Sequence, residues 1–170
     1  MFYRRHLPHW FPGDCNVFVT WRLAGSRPRS IGGPVWLQDL RIAGMIAETL
    51  RYGASAGLYD LHAWVIMPNH VHAIIRPHKA MARIMQWLKG RTARKANRIL
   101  GHTGDAFWQA ESFDHWIRSE LEFEALVDYV QNNPVKAGLV ETQGQWPWSS
   151  CADLADDKKR SSAPLLGTKY

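Results

Sequence analysis

Two histidines separated by one residue are the first candidates for chemistry in this sequence. His70 and His72 lie in the stretch M-P-N-H-V-H-A at residues 67–73. Because side chains alternate along a strand, both imidazoles would point to one face while Val71 points to the other. Imidazole is the commonest metal ligand among side chains, so the spacing offers two ligands from one rigid element. Taken alone, the pair also fits ordinary half-buried histidines, because a catalytic metal usually has three protein ligands.

A second candidate group lies in D-Y-V-Q-N-N-P at residues 128–134. Tyr129 and Asn133 are four residues apart, which places them on one helical face, one turn from each other. A phenol beside a neutral oxygen ligand suits a nucleophile next to a metal ion. The alternative is that Tyr129 lies at the edge of the core and Asn133 only caps the helix. Because a residue before proline disfavours the helical region, Asn133 is expected at the fraying end, and Asn132 is a second candidate ligand.

Composition predicts a globular protein with an anionic partner. The chain has 170 residues, of which 46% are hydrophobic and 21% charged, with a net charge of +6. A basic domain fits a polyanion, and nine tryptophans suit either a core or stacking against bases. Cys15 and Cys151 are not spaced as a metal pair, which fits a reducing cytoplasm. With no membrane-length apolar run and no signal-peptide core, we expect a cytoplasmic protein without a membrane partner.

Hydrophobic periodicity predicts the elements that must position these residues. Alternation favours strands at 16–23, 59–67 and 70–76, the last two joined by a Pro-Asn turn, with one or two short strand pieces in 107–118. Helical spacing predicts three helices. They run from Pro34 to a stop at Gly53, from Met81 to Leu100, and from a capping box at Ser119 and Glu122 to Asn133, where Pro134 would end the helix.

The element order β, α, β, β, α, β, α is close to the split βαβ arrangement of the ferredoxin-like class. We therefore predict an α+β fold in which an antiparallel sheet has its helices packed on one face. Residues 1–155 would form a single domain, and residues 156–170 would be a flexible tail.

Basic side chains are candidates for contacts with phosphates. Four of them share one face of the second predicted helix, namely Arg91, Arg94, Lys95 and Arg98. The same pattern fits a merely solvated helix face, and the two interpretations have similar weight. Further candidates at the start of the chain and after the last helix are Arg4, Arg5 and Lys136.

Several stretches together resemble the REP-associated tyrosine transposases, a branch of the single-tyrosine HUH transposases related to insertion-sequence transposases. The matching stretches are A-W-V-I-M-P-N-H-V-H-A-I-I, F-W-Q, F-D-H-W-I-R, D-Y-V-Q-N-N-P-V-K-A-G-L-V and W-P-W-S-S. The resemblance extends from about residue 16 to residue 150 and implies the HUH endonuclease fold.

The resemblance also implies a role for each candidate residue. His70 and His72 would bind a divalent metal, Mg²⁺ or Mn²⁺, and Asn133 would complete the site. Tyr129 would attack a phosphodiester in single-stranded DNA, become joined to the 5′ phosphate and free a 3′ hydroxyl. The implied substrates are hairpins of palindromic repeats. We expect a monomer rather than a dimer, associated with the nucleoid through DNA.

Two other functions fit the same basic charge. One is a DNA-hairpin-binding or regulatory module that does not cleave. The other is a metal-dependent hydrolase that uses water as its nucleophile. Tyr129 separates them from a strand transferase, because neither needs a phenol directed at a phosphate.

Overall fold

Four strands pair into one antiparallel sheet in the computed structural model, which describes residues 15–26 and 33–152. The strands are β1 (Val17–Arg22), β2 (Tyr59–Met67), β3 (His70–Pro77) and β4 (Phe113–Trp116). Their order across the sheet is β2-β3-β1-β4, and every neighbouring pair is antiparallel. Among the residues described, no helix is long and apolar enough to cross a membrane. The predicted boundary at residue 155 falls outside these ranges and stays a prediction.

Three helices accompany the sheet: α1 (Leu40–Ser55), α2 (Met81–Leu100) and α3 (Glu120–Lys136). The predicted capping box at the start of α3 is present in a modified form. The Ser119 hydroxyl accepts a hydrogen bond from the Glu122 backbone N–H, whereas the Glu122 carboxylate accepts from the Arg118 backbone N–H, one residue further back than predicted. The first contact satisfies a backbone donor that the first turn of a helix leaves without a partner, and the second satisfies the donor just before the N-cap.

The helices pack on both faces of the sheet, not on one. One face carries Val71, Trp64 and Trp21 and packs against α1 and α2, as in the ferredoxin-like class. The opposite face carries Val65 and Ile74 and packs against α3. The α+β class and the antiparallel sheet are confirmed, but the prediction of helices on one face is wrong for α3. The physical reason is that β2 and β3 are apolar on both faces, so each face needs a covering layer.

Two predicted helix ends are also wrong. Helix α1 continues past Gly53 to Ser55, and Gly53 serves instead to admit the Tyr59 side chain, whose hydroxyl donates to the Leu50 carbonyl at 2.8 Å. A Cβ at position 53 would overlap that hydroxyl. Helix α3 continues through Pro134 to Lys136.

Pro134 does not end α3, although its ring removes the donor that would bond to the Val130 carbonyl, because the donors after the proline keep the last turn closed. The Ala137 N–H still donates to the Asn133 carbonyl at 3.0 Å, and the chain leaves the helix at Gly138, where φ is +68°. Asn133 is therefore a helical residue and not a frayed one.

The stretch W-P-W-S-S covers the outer edge of β2. The Ile66 N–H donates to the Trp148 carbonyl at 2.8 Å, and the Trp146 indole N–H donates to the Ile66 carbonyl at 3.0 Å. The Ser150 hydroxyl accepts from the Trp64 N–H at 3.2 Å. These bonds occupy an edge that would otherwise be open to pairing with another strand.

Candidate metal and tyrosine site

The two histidines of β3 converge on the face of the sheet that α3 covers. Their Nε2 atoms are 3.1 Å apart and their ring centroids 4.7 Å apart. His72 is buried, with 4% of its surface exposed, and His70 is half-buried. Val71 between them is fully buried on the opposite face, as strand alternation predicts. The pair therefore presents two imidazole nitrogens to one point.

Each imidazole is also held at its other nitrogen. The Nδ1 atom of His72 lies 2.6 Å from the Thr20 hydroxyl, which β1 places directly opposite in the ladder. The Nδ1 atom of His70 lies 2.6 Å from the side-chain oxygen of Asn69 in the hairpin turn. Phe18 stacks on the His72 ring, with centroids 5.4 Å apart. Both rings are thus fixed in orientation, His72 by β1 and His70 by the turn.

Both imidazoles are neutral at neutral pH. Burial, with a smaller contribution from the nearby Arg22 guanidinium, lowers the pKa of His70 to about 4. Burial lowers the pKa of His72 to about 3, with smaller contributions from His70 and Arg22. Neutral imidazole is the form that binds metals, so the site needs no deprotonation before a cation enters.

Tyr129 lies against this pair. Its ring meets the His72 ring edge-on with centroids 5.5 Å apart, and it meets Phe18 in the same manner at 6.0 Å. The side chain keeps 39% of its surface exposed. Val130, the next residue, is fully buried in the α3 core and fixes the helix on the sheet. The phenol is therefore anchored beside the imidazoles and remains accessible to a large substrate.

The two asparagines that follow Tyr129 differ in their surroundings. The Asn132 amide donates to the Asp128 carboxylate at 2.6 Å along the exposed side of α3. Asn133 is partly buried and lies one helical turn after Tyr129. Within residues 15–26 and 33–152, no group of three or more His, Cys, Asp or Glu side chains could hold a metal ion. Within the described part of the chain, the two histidines are therefore not joined by a third His, Cys, Asp or Glu ligand.

The imidazole pair fits a divalent cation. Two ligand atoms that lie about 2.1 Å from one ion and subtend a right angle are roughly 3.0 Å apart. The Nε2 atoms of His70 and His72, at 3.1 Å, meet that condition without movement. Imidazole nitrogen is a donor that suits Mn²⁺ and other transition-metal ions, whereas Mg²⁺ prefers oxygen ligands such as an amide oxygen and water.

The structure separates the predicted DNA-binding residues into two locations. Lys136 lies at the site, with its ammonium 5.4 Å from the centroid of the Tyr129 ring. The four basic residues of α2 are exposed, but α2 packs on the other face of the sheet. One of them, Arg91, stacks over the Tyr52 ring at 5.3 Å. The remaining candidates, Arg4 and Arg5, lie outside the described residues.

Besides Phe18, which stacks on the His72 ring, three residues of the site were not predicted from the sequence. Thr20 and Asn69 contact the imidazoles, and Arg22 stands opposite His70 in the β1–β3 ladder. A signal for two of them existed, because alternation along N-V-F-V-T-W-R-L puts Thr20 and Arg22 on one face of β1. What the sequence does not contain is the register that sets this face beside the histidines.

Comparison with known proteins identifies the class. Residues 37–133, more than half of the chain, match the family described as Transposase IS200 like, and the chain belongs to that family. It is 30% identical over 95 residues to the REP-associated tyrosine transposase of Escherichia coli (strain K12). The aligned stretch covers 54% of this chain and 54% of that relative. It is 27% identical over 103 residues to a Haemophilus influenzae protein whose name places it in the same group, covering 54% of this chain and 58% of that relative.

The chain thus spans a little over half the length of these curated relatives. A solved structure of a REP-associated tyrosine transposase bound to a REP hairpin superposes with a TM-score of 0.63 at 22% identity, over 100% of this chain and 94% of that one. This likeness shows a shared fold. Together the comparisons confirm the predicted resemblance to REP-associated tyrosine transposases.

Proposed function

We propose that the protein is a divalent-metal-dependent single-stranded DNA endonuclease and strand transferase that acts on hairpin DNA through Tyr129. The observation that carries this proposal is the contact between the accessible Tyr129 ring and an imidazole pair whose Nε2 atoms converge. A phenol, two neutral metal-binding nitrogens and a nearby amide are the groups that a tyrosine-based attack on a phosphodiester needs. Membership of the IS200-like transposase family supports it.

In this proposal His70, His72 and Asn133 would hold the cation, and Asn132 is the less favoured third ligand because Asp128 engages its amide. A bound divalent cation would draw charge from a non-bridging phosphate oxygen and so favour attack at phosphorus. The Tyr129 oxygen then forms a bond to phosphorus as the bond from phosphorus to the 3′ oxygen breaks. The products are a 5′-phosphotyrosine and a DNA end with a free 3′ hydroxyl.

The phosphotyrosine retains a phosphoester bond, which makes transfer to a new strand possible without an external energy source. A second 3′ hydroxyl attacks the same phosphorus, joins the two DNA ends and releases the Tyr129 phenol. Water competes with that hydroxyl only if it reaches the phosphorus.

Two cations of the chain itself favour the arrival of a phosphate at Tyr129. Lys136 lies over the Tyr129 ring, and Arg22 lies beside the imidazoles. Elsewhere α3 is acidic in its first turns, where Glu120 and Glu122 lie. Lys136 and Arg22 therefore place positive charge beside Tyr129, which would guide an anionic strand to that end of the helix.

The proposed substrate is single-stranded DNA that carries a hairpin of a palindromic repeat. The support comes from a relative of the same fold whose solved structure holds a REP hairpin. The exposed basic face of α2 offers a second surface for phosphates on the opposite layer. One chain supplies both the imidazoles and the phenol, so we propose that Tyr129 acts at the metal of its own chain and that a monomer is competent.

The direct test is incubation with a hairpin-bearing single-stranded oligonucleotide and Mn²⁺ or Mg²⁺. A protein–DNA adduct that survives a denaturing gel is expected, and it should be absent when EDTA is added. A fully paired duplex of the same sequence is the control and should give no adduct. Hairpin binding without an adduct or cleavage would instead support a non-cleaving regulatory module. Cleavage without an adduct would support a hydrolase that uses water.

A further inference from the structure

The imidazole pair is supported by two oxygen atoms of different chemistry. The Asn69 side-chain oxygen lies 2.6 Å from Nδ1 of His70, and the Thr20 hydroxyl lies 2.6 Å from Nδ1 of His72. Neither residue titrates, and neither faces the point on which the Nε2 atoms converge. Their contacts therefore bear on which ring nitrogen carries the proton, since the partner of one imidazole nitrogen determines the state of the other.

Asn69 fixes the tautomer of His70. An amide oxygen only accepts hydrogen bonds, so Nδ1 of His70 must carry the proton and its Nε2 keeps a free lone pair. The turn that carries Asn69 is held from two sides. Its backbone carbonyl accepts from the Leu23 N–H at 2.9 Å, and the Pro68 carbonyl accepts from the Leu37 N–H at 3.2 Å. The amide is thus a fixed acceptor on a rigid turn.

Thr20 supports either tautomer of His72, because a hydroxyl both donates and accepts. Two imidazole Nε2 atoms at 3.1 Å repel each other unless a proton or a cation lies between them. When a proton lies between the two Nε2 atoms, the Nε2–H of His72 donates to Nε2 of His70, and the Thr20 hydroxyl donates to Nδ1 of His72. When a cation lies there instead, the Nδ1–H of His72 would donate to the Thr20 hydroxyl, and both Nε2 atoms would face the ion.

From these contacts we infer that Asn69 and Thr20 are positioning residues for a metal site. Asn69 fixes the tautomer of His70, and Thr20 allows the tautomer of His72 to change. The inference rests on the proposed role of His70 and His72 as metal ligands. When the cation enters, the proton on Nε2 of His72 is replaced by one on Nδ1, so the pair remains neutral throughout. The chain therefore takes up the cation without a net release of protons from the two imidazoles.

Metal affinity in the absence of DNA tests the inference. Mn²⁺ binding, followed by the decrease of the free-ion EPR signal, should weaken about 10- to 100-fold in Asn69→Ala and in Thr20→Val, the range typical for partners of metal-bound histidines. Thr20→Ser and Asn69→Asp keep an acceptor and should bind Mn²⁺ within about threefold of wild type or more tightly. Thr49→Val is the control, because this buried hydroxyl donates to the Met45 carbonyl within α1, on the other face of the sheet from the imidazoles.

Nitrogen-15 NMR of the wild-type histidines gives a second readout, which does not depend on any variant folding. The spectra should show His70 protonated at Nδ1 both with and without Mg²⁺. They should show the proton of His72 at Nε2 without Mg²⁺ and at Nδ1 with it. A His70 ring that carries its proton on Nε2 would overturn the inference, because that ring could not then present a lone pair to the ion.

A double histidine variant separates this inference from the proposed function. If His70→Ala/His72→Ala binds Mn²⁺ as tightly as wild type, the metal role of the histidines is wrong and both proposals fail. If that double variant no longer binds Mn²⁺ while Asn69→Ala and Thr20→Val retain wild-type affinity, only the positioning role fails.

Discussion

Arg22 lies directly opposite His70 in the β1–β3 ladder, so a permanent cation stands beside the imidazole pair. Burial lowers the pKa of this guanidinium, and the nearby Tyr129 opposes that shift. The same guanidinium contributes to the lowered pKa of both histidines. A cation in this place repels a metal ion but attracts a phosphate. Its presence is therefore better explained by a bound phosphate than by metal binding alone.

Replacement of Arg22 should affect metal and DNA in opposite directions. In Arg22→Gln we expect Mn²⁺ affinity without DNA to be equal to wild type or higher, because a repelling charge is gone. Adduct formation with the hairpin oligonucleotide should slow about 10- to 100-fold, which is the rate effect expected when one charge-assisted contact with a phosphate is lost. Arg41→Gln is the control, because Arg41 is exposed and paired with Asp39 at the start of α1. Weaker Mn²⁺ binding in Arg22→Gln would refute this explanation.

The buried imidazoles predict a pH dependence of stability. Their pKa values of about 4 and about 3 lie below the ordinary value near 6.5. At pH values between the lowered and the ordinary pKa, the unfolded chain therefore binds more protons than the folded chain. The free energy of unfolding should therefore be highest above about pH 6.5 and should fall as the pH decreases from about 6.5 to about 4. Urea unfolding between pH 7 and 5 measures it. His70→Gln/His72→Gln should flatten the dependence, and an unchanged slope would contradict the prediction.

Two helical glycines form a matched pair for a test of packing. Gly53→Ala should destabilise the fold by about 1–3 kcal/mol, because the new methyl group meets the Tyr59 hydroxyl that bonds to Leu50. Gly90→Ala in α2 meets nothing within 4 Å and should stabilise by about 0.5–1 kcal/mol. Urea unfolding of both variants is the measurement. A Gly53→Ala protein as stable as wild type would mean that Tyr59 packs differently.

The basic face of α2 should contribute to DNA affinity but not to the chemical step. Helix α2 packs on the face of the sheet opposite to Tyr129. In the triple variant Arg94→Gln/Lys95→Gln/Arg98→Gln we expect weaker hairpin binding. The slope of log affinity against log salt concentration should become shallower by roughly 0.7–0.9 for each phosphate that the variant no longer neutralises. The rate of adduct formation at saturating DNA should stay at the wild-type value. Unchanged affinity and salt dependence would leave this surface as a merely solvated helix face.

Local patterns were sufficient for the parts of the site that lie within one element. Alternation in β3 predicted that His70 and His72 share a face, and helical spacing predicted that Tyr129 and Asn133 do. Both expectations concern residues two to four positions apart, where the geometry of a strand or helix fixes the relation. The element order was similarly sufficient for the ferredoxin-like sheet.

Relations between distant segments were not accessible in this way. Thr20 contacts His72 across 52 positions, and only the register of β1 against β3 creates that contact. The side of the sheet that α3 covers depends on two apolar faces competing for helices, which a pattern in one strand does not reveal. The predicted helix end at Pro134 is wrong because the Ala137 N–H, beyond the proline, still closes the last turn on the Asn133 carbonyl.

The most direct test of the central claim is the identity of the residue that carries DNA. The adduct formed with hairpin oligonucleotide and Mn²⁺ is digested with nuclease and protease, and the modified peptide is sequenced by mass spectrometry. We predict a nucleotide remnant on Tyr129 and no adduct from Tyr129→Phe, with Tyr52→Phe as a control that reacts like wild type. A remnant on another residue, or an undiminished adduct from Tyr129→Phe, would contradict the account.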